Sequence, residues 1–522
     1  MDDQIRPHES APGTEILIDQ GKQKYEEYQH VTRGNAQILL VPQPSLTDPN
    51  DPLRWPRWKK WLTFANGLFY AFNGAMTGPM MAGGMLQLSS SFGRPLADIT
   101  YSNGATLICQ GFGTLLWMPL AVKFGRRPVY LTSNLLMGIA CVWLAIASEK
   151  TYPVFVLARA FLGLWEAPIE AIVPSTVADI FFLHERGEKI SIYGLSVLGG
   201  NEIGPLVSAY VIQSLSMRWA FFIVAICIGV NMITMFFLMP ETKFTGYRPV
   251  LVAVENDSSI RDDLKPIGSE HRENVAIDLR EDIIEQERSG SPEKKTFVQQ
   301  LAYYSTTESQ LSLFKIFLRP FVLMAFPTVL WASVLYGMSL SWNVILGSTV
   351  AQLFGVEAPR AYLSIPIHRV ATYFTIRNDG IREPEMRLPT CIVAAALTTI
   401  GAVISGVTYH YKTHWSGPII GFAVLSAGAQ MGATLSMSYA LDCHKELSAE
   451  LMVTVSCLKS TVAWIWTWCI NDWLDSNGTI VVFVTVACLN MVVYGIAFIL
   501  HLRGKQMRIW IHKKNFLSGL EF

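Results

Sequence analysis

The sequence predicts an all-α polytopic membrane protein built as two helical bundles. Three observations carry that reading. The 522-residue chain is 51% hydrophobic and only 16% charged, with a mean hydropathy of +0.31, the profile of a chain that places many segments in lipid. Apolar windows long enough to span a bilayer recur along it. A long polar stretch divides those windows into two groups.

In chain order, residues 1–55 are polar without sustained periodicity and read as a soluble cytoplasmic tail. The polar, acidic start resembles no signal peptide, so the first apolar segment is expected to act as an uncleaved anchor. Windows at about 61–86, 98–121, 128–147, 153–178, 190–213 and 218–239 make a six-span bundle over residues 56–240. The chain then turns polar over 241–314, with 12 acids and 7 bases between 251 and 300, which reads as a disordered or loosely helical linker. Spans resume at about 321–347, 389–409, 416–441, 448–470 and 479–501, within a second bundle over 315–502. Residues 503–522 form a basic tail with Arg503, Lys505, Arg508, Lys513 and Lys514. Six spans, a long soluble loop and a second group form the layout of a two-halved secondary transporter.

Lysine and arginine placement sets the expected sidedness. Arg54, Arg57, Lys59 and Lys60, then Lys123, Arg126 and Arg127, then Arg186 and Lys189, flank alternate loops, as do the linker and the C-terminal tail. Both termini and the linker are therefore expected in the cytoplasm. Asn477-Gly-Thr is a glycosylation sequon in a loop assigned to the outside, whereas Asn256-Asp-Ser falls in the cytoplasmic linker. The second bundle counts only five spans. Arg369, Arg377, Arg382 and Arg387 place 368–387 in the cytoplasm, so a crossing is required near 348–368. That stretch is broken by Glu357, Pro359, Arg360 and Pro366. An eighth span is expected to be missing or truncated, short of a crossing by about twenty to thirty residues.

The fourth span, Tyr152–Leu183, holds three charges: Arg159, Glu166 and Glu170. At 100° per residue, Glu166 falls about 20° behind Arg159 and Glu170 about 20° ahead of it. Three charges at mid-bilayer would cost roughly 7–10 kcal/mol on insertion scales. The stripe is therefore expected to face a wet interior, either as a proton or cation site tuned by Arg159 or as a fixed ion pair between helices. Pro168 and Pro174 are expected to kink the span. Glu202 in span 5 reads as a proton-coupling or substrate residue or as a satisfied interhelical hydrogen bond, and Lys459 in span 11 as a neutral amine, a partner for an acid or a substrate-site residue, or as a structural ion pair. Gly200, Gly204 and Pro205 near Glu202 mark either close helix packing or a functional bend. Asn66, Asn73, Asn103, Gln110, Trp342, Asn343 and Gln430 are further cavity candidates, each also able to serve as an interhelical hydrogen bond. Trp464, Trp466 and Trp468 alternate around a helix and read mainly as packing.

A formal net charge of zero gives no pointer to nucleic acid, and the eight cysteines show no CxxC or metal spacing and read as small core residues. There is no P-loop, nucleotide-binding glycine motif, catalytic triad or metal cluster, which argues against an ATP-driven pump or an enzyme and implies no cofactor.

The segment Lys123–Tyr130 (KFGRRPVY), between spans 2 and 3, resembles the loop signature of the major facilitator superfamily. Asp48-PNDPLRWPRWKKW, Asp179-IFFLHERG and Asn378-DGIREPEMRL resemble segments of its fungal drug:proton antiporter branch, and the resemblance runs from about residue 48 to the end. It implies two six-helix bundles, alternating access around a central cavity, a small-molecule substrate and coupling to protons. Gly125, Arg126 and Arg127 match the gating loop, where a sidedness and latch role or a lipid-headgroup contact is expected. Val122 stands where the family has an acid, which puts a charge latch built on that position in doubt. Met118, Leu162 and Ser208 also depart from the pattern. Gly200-Asn-Glu-Ile-Gly-Pro205 resembles the antiporter signature, whose bend the resemblance links to leak control. The expected activity is proton-coupled efflux of a drug, secondary metabolite or cationic amine. The expected protein is a monomer in contact with membrane lipids, in the plasma membrane or alternatively the vacuolar membrane. An uncoupled facilitator or importer, and a non-transporting sensor or degenerate transporter, are the alternatives.

Overall fold

The computed structural model describes residues 40–246, 293–304, 312–354 and 384–514 apart from a few isolated positions, together with residue 248 and short strands at 15–16, 30–33, 36–39 and 381–382. Helices dominate. The first group is α1 (Arg57–Thr77), α2 (Met85–Phe92), α3 (Leu96–Phe124), α4 (Arg126–Ala147), α5 (Tyr152–Glu166), α6 (Ile169–Ile180), α7 (Leu183–Ser214) and α8 (Met217–Leu238). The second is α9 (Leu313–Leu323), α10 (Pro327–Phe354), α11 (Cys391–His410), α12 (Ser416–Cys443) and α13 (Ser448–Lys514). Gly478, at φ 76°, divides α13 into two arms, a turn that a side chain would oppose.

Among the described residues, eight helices are long and apolar enough to cross a membrane. A ninth candidate joins α9 to the first part of α10 with an 82° bend. The expected first span falls on α1, which opens with Arg57, Lys59 and Lys60 and holds two asparagines. The expected fourth span is not one helix but two, of 15 and 12 residues, parted at Ala167 and Pro168. Proline has no N–H for the carbonyl four residues back. That carbonyl, Leu164 O, instead accepts from Trp117 Nε1 at 2.9 Å, so the break leaves no buried acceptor stranded. The expected kink at Pro168 is thus present, while Pro174 lies inside α6.

Small residues set the helix spacing. α3 runs along α5, α4 along α8 and α1 along α7. A Cβ on Gly163 would collide with the Thr106 backbone, and one on Gly200 with Phe72 O. In the second group α11 packs on α12 and α13, and α10 on α12 and α13. One core fills the first group, and Met437, Met452 and Val453 of the second group join it. Two further cores lie wholly within the second group.

Four segments differ from the sequence reading. Span 7 was expected from 321, but its helix starts at Pro327, with α9 bent away before it. The basic tail is helical to Lys514, as an extension of α13. The polar tail, read as soluble and without sustained periodicity, folds against the chain from residue 40: Asp51 is fully buried and accepts from the N–H groups of Ser45 and Leu53. Both ends of the linker dock on the first group, at 241–248 and 293–304, through contacts such as Arg248 with Asp51 at 2.6 Å and Arg127 with Leu301 O at 3.2 Å. From residue 355, the stretch in which the eighth crossing was expected to fail lies outside the described residues, as does the Asn256 sequon.

Candidate functional site

The two groups of helices line a central cavity that is partly open to solvent. Arg159, Glu166, Glu170, Glu202 and Lys459 all line it, with Asn103, Gln110, Asn201 and Gln430. The five charges come from α5, α6, α7 and the first arm of α13. All five residues are buried. A charge held that far from water must be matched by polar partners, and the partners divide into two sets.

The first set stays within the first group. Arg159 donates to Thr77 O at 3.0 Å and to Asn103 Oδ1. The Thr77 hydroxyl lies 2.6 Å from Glu166 Oε2 and 2.7 Å from Gly74 O. A hydroxyl has one proton to give. If it goes to Glu166, the carboxylate is charged; if it goes to Gly74 O, the short contact is satisfied only when Glu166 carries a proton itself. The geometry therefore accommodates both charge states. Arg159 and Glu166 meet through Thr77 rather than as a direct ion pair, close enough for each to act on the other electrostatically.

The second set crosses between the groups. Lys459 Nζ sits 2.5 Å from Glu170 Oε1. The Tyr336 hydroxyl donates to Glu170 Oε2 at 3.3 Å, and the ammonium lies 4.4 Å from the centre of the Tyr336 ring. Glu170 thus has its counter-charge on the opposite group of helices. The break at Pro168 starts a new helix just before Glu170, so the single-helix stripe is replaced by two helices that converge on one cavity.

On α7, Glu202 and Asn201 face the cavity beside Pro205, which removes the N–H that the Asn201 carbonyl would accept. Gly200 and Gly204 press against Phe72 and Met76 of α1, the close-packing reading of those glycines. Ser208, where the family pattern has glycine, donates to Met80 O at 2.7 Å.

The Gly125–Arg127 loop does hold a charge network, with acids from elsewhere. Arg126 pairs with Asp179 at 2.7 Å. Glu241 accepts from the backbone N–H groups of Arg126 at 2.9 Å and Arg127 at 3.0 Å. Its carboxylate lies where a Cβ on Gly125 would stand, and Gly125 has φ 95°, so only glycine fits the cradle. Arg127 reaches the carbonyls of Phe236, Met239 and Leu301. No latch is built on Val122 itself; the acids come from Asp179 and Glu241. The second group repeats the motif: Arg387 pairs with Asp442 at 2.9 Å, and Arg508 with Glu385 at 2.8 Å.

Several other expected residues meet neighbours away from the cavity lining. Trp342 is buried and donates to Asn490 Oδ1 at 2.9 Å, and its ring meets Trp466. Trp468 stacks on Tyr101, and Trp464 lies beside Gly104. Asn66 bonds the Leu62 carbonyl. Asn73 is fully buried with neither amide atom bonded. The side chain of Asn343 lies outside the described residues. Asn477 is exposed beside the Gly478 turn. Three cysteines are buried, three half-buried, and Cys469 and Cys488 are exposed. Among the described residues no His, Cys, Asp and Glu cluster able to hold a metal ion occurs. The sequence reading missed Thr77 and Tyr336, whose types carry no mark in an apolar helix, and Asp179 and Glu241, which sit at helix ends where acids are common.

Long apolar helices around a buried charged cavity define an integral membrane transporter. The chain belongs to the major facilitator superfamily, whose family model matches residues 63–467. It is 28% identical over 554 residues to an uncharacterized MFS-type transporter of Schizosaccharomyces pombe, covering 97% of this chain and 94% of that one. It is 23% identical over 537 residues to protein HOL1 of Saccharomyces cerevisiae, covering 91% and 90%. Among solved structures it resembles the proton:xylose symporter XylE bound to 6-bromo-6-deoxy-D-glucose, with a TM-score of 0.54 at 14% identity, covering 84% of this chain and 94% of that one. At that identity the likeness speaks for the fold alone.

Proposed function

We propose that this protein is a proton-coupled exporter of small organic molecules, with residues 56–240 and 315–502 as the two bodies that rock about the cavity. The observation that carries the reading is the Glu170–Lys459 pair, an ion pair between the two groups of helices inside the cavity. Protonating Glu170 removes its attraction for Lys459, so proton uptake and separation of the groups become one event. Glu166, with a partner that suits either charge state, is the second proton site. Glu202 and Asn201 belong to the wall that meets the substrate. A drug-like compound, a secondary metabolite or a cationic amine fits a cavity with three carboxylates against two cations. The Gly125–Arg127 network holds the first group rigid at the cytoplasmic end, the plasma membrane is the site of action, and Asn477 is glycosylated on the outside.

The test is substrate-dependent proton flux in proteoliposomes, screened with a panel of lipophilic amines and aromatic compounds. Coupled flux that is lost in Glu170→Gln supports the reading. Substrate movement without proton flux makes the protein a facilitator, and binding without movement makes it a sensor or a degenerate transporter. The last outcome is the one that loss of the eighth crossing would produce.

A further inference from the structure

Beyond the central cavity, two smaller cavities follow α7 toward the Gly125–Arg127 end. One, of about 290 Å³, is lined by Ile190, Tyr193, Gly194, Gln430, Thr434 and Met437 among others. It shares Val197, Tyr336, Gln430 and Ala433 with the central cavity. The next, of about 600 Å³, includes Ile190, Arg186, Gly187, Arg387 and Asp442, so Ile190 joins it to its neighbour. From Arg186 to Glu202 the row follows one helix for about 24 Å at 1.5 Å per residue. α12 faces it with Gln430, Thr434, Met437 and Asp442.

The cavity beside Tyr193 is smaller than the cleft of roughly 300–1,000 Å³ that a drug-sized molecule needs. Met437 and Tyr193 are closely buried in the core shared by the two groups. The row nevertheless carries polar groups. The Tyr193 hydroxyl is buried with no hydrogen-bond partner, and an unsatisfied buried donor marks a place for water. The Gly194 carbonyl and Gln430 meet at 3.4 Å, and Thr434 donates to Gln430 O at 2.9 Å. At the upper end Tyr336 lines both cavities and bonds Glu170.

We propose that Glu170 exchanges its proton with the cytoplasm through this row, with the Tyr193 hydroxyl as relay, apart from the path the substrate takes. The proposal rests on the reading of Glu170 as a proton site. In the outward step the Glu170 carboxyl gives its proton to the Tyr336 oxygen as that hydroxyl passes its own to water in the small cavity. Tyr193 receives a proton from that water and releases its own on the far side. Each tyrosine ends neutral, and one proton has moved from Glu170 to water at the end cavity. Uptake is the reverse. Glu170 faces Lys459 and Tyr336 from the second group, and Glu166 lies four residues before it on the preceding helix. The carboxylate left behind re-forms its pair with Lys459. Tyr193 is thus a positioning and relay residue outside the substrate cavity.

The test needs no substrate. Purified protein is stepped in pH, and the infrared band of the protonated Glu170 carboxyl, assigned by its loss in Glu170→Gln, is followed in time. A Cβ on Gly194 would point between Gln430 and Thr434 at 3.4 and 3.5 Å, an ordinary contact, so the longer side chain of Gly194→Leu is aimed into the small cavity. Gly194→Leu is expected to slow the band at least about tenfold, and the isosteric Tyr193→Phe about threefold to tenfold, with the final amplitude retained in both. Wild-type rates in both variants would overturn the route and leave the coupling reading standing. A wild-type protein without a Glu170-dependent band would overturn both. Should Gly194→Leu fail to fold, Tyr193→Phe decides alone.

Discussion

The two groups of helices meet the central cavity with different chemistry. The first supplies Arg159 and three carboxylates; the second supplies one ammonium, Lys459, with Tyr336, Ser339 and Gln430. Arg159 and Glu166 find their partners inside the first group, on Thr77 and Asn103. Those bonds survive any movement of one group against the other. Glu170 finds its partners, Lys459 and Tyr336, on the second group. Those bonds cannot survive it. Four residues of sequence thus separate a carboxylate paired within its own group from one paired across the two groups. At the other end, each group closes its own network: Arg126 with Asp179 and Glu241 in one, Arg387 with Asp442 and Glu385 with Arg508 in the other. Such networks tie residues within each group, whereas the Glu170–Lys459 pair joins one group to the other.

The sharpest way to break this contrast is Lys459→Met. It leaves Glu170 buried without its counter-charge, which costs about 3–5 kcal/mol and is expected to cut transport at least about 100-fold. Adding Glu170→Leu should restore most of the thermal stability, because the uncompensated charge is gone. Adding Glu166→Gln should not. Equal rescue by both, read from thermal unfolding in detergent, would erase the distinction between the two glutamates.

A pH scan tests the end of the second group. Burial, with Arg508 nearby, holds the His444 imidazole down to about 4, against an ordinary value of 6.5. The ring is therefore neutral in the fold, where it meets Thr328 at 3.0 Å, and the unfolded chain takes up a proton first. Stability from this group is intact above pH 6.5 and is lost as pH falls from 6.5 toward 4, by at most about 3 kcal/mol. His444→Gln should flatten that part of the curve; an unchanged slope would show that the imidazole is not held neutral.

A smaller effect is expected from the paired networks. Arg126→Ala and Arg387→Ala each remove a partly buried ion pair and should cost about 1–2 kcal/mol. The two losses should add within about 0.5 kcal/mol, since the networks lie in different groups. A larger coupling energy would mean that the groups share one network. Smallest of all, Arg218→Ala removes a pair with Glu149 whose side chains are 44% and 55% exposed. The change in unfolding should stay within about 0.5 kcal/mol, and a larger loss would point to an unsuspected role for that loop.

Much of the cavity was legible in the chain because a charge in an apolar window has few tolerable places. Arg159, Glu166, Glu170, Glu202 and Lys459 could be picked out from insertion cost alone, and all five line one cavity. Tyr336 and Thr77 could not, since a tyrosine or threonine costs little in a helix and becomes functional only by what stands opposite. The break at Pro168 was legible as a proline, but the rescue of the Leu164 carbonyl by Trp117 depends on a helix about fifty positions away. The bend between α9 and α10 escaped notice because a hydropathy window averages over it. The folded segment around Asp51 escaped because its partner, Arg248, lies across the whole first group.

By itself the sequence determined the membrane character of the chain, its division by a polar linker and the buried charges, because each follows from transfer cost and local periodicity. Only the tertiary structure decided which charge answers which. Glu166 and Glu170 look alike from the chain, being acids four positions apart, yet one is paired within its own group of helices and the other across the seam. That assignment depends on contacts between residues hundreds of positions apart, such as Glu170 with Lys459, which no local pattern encodes.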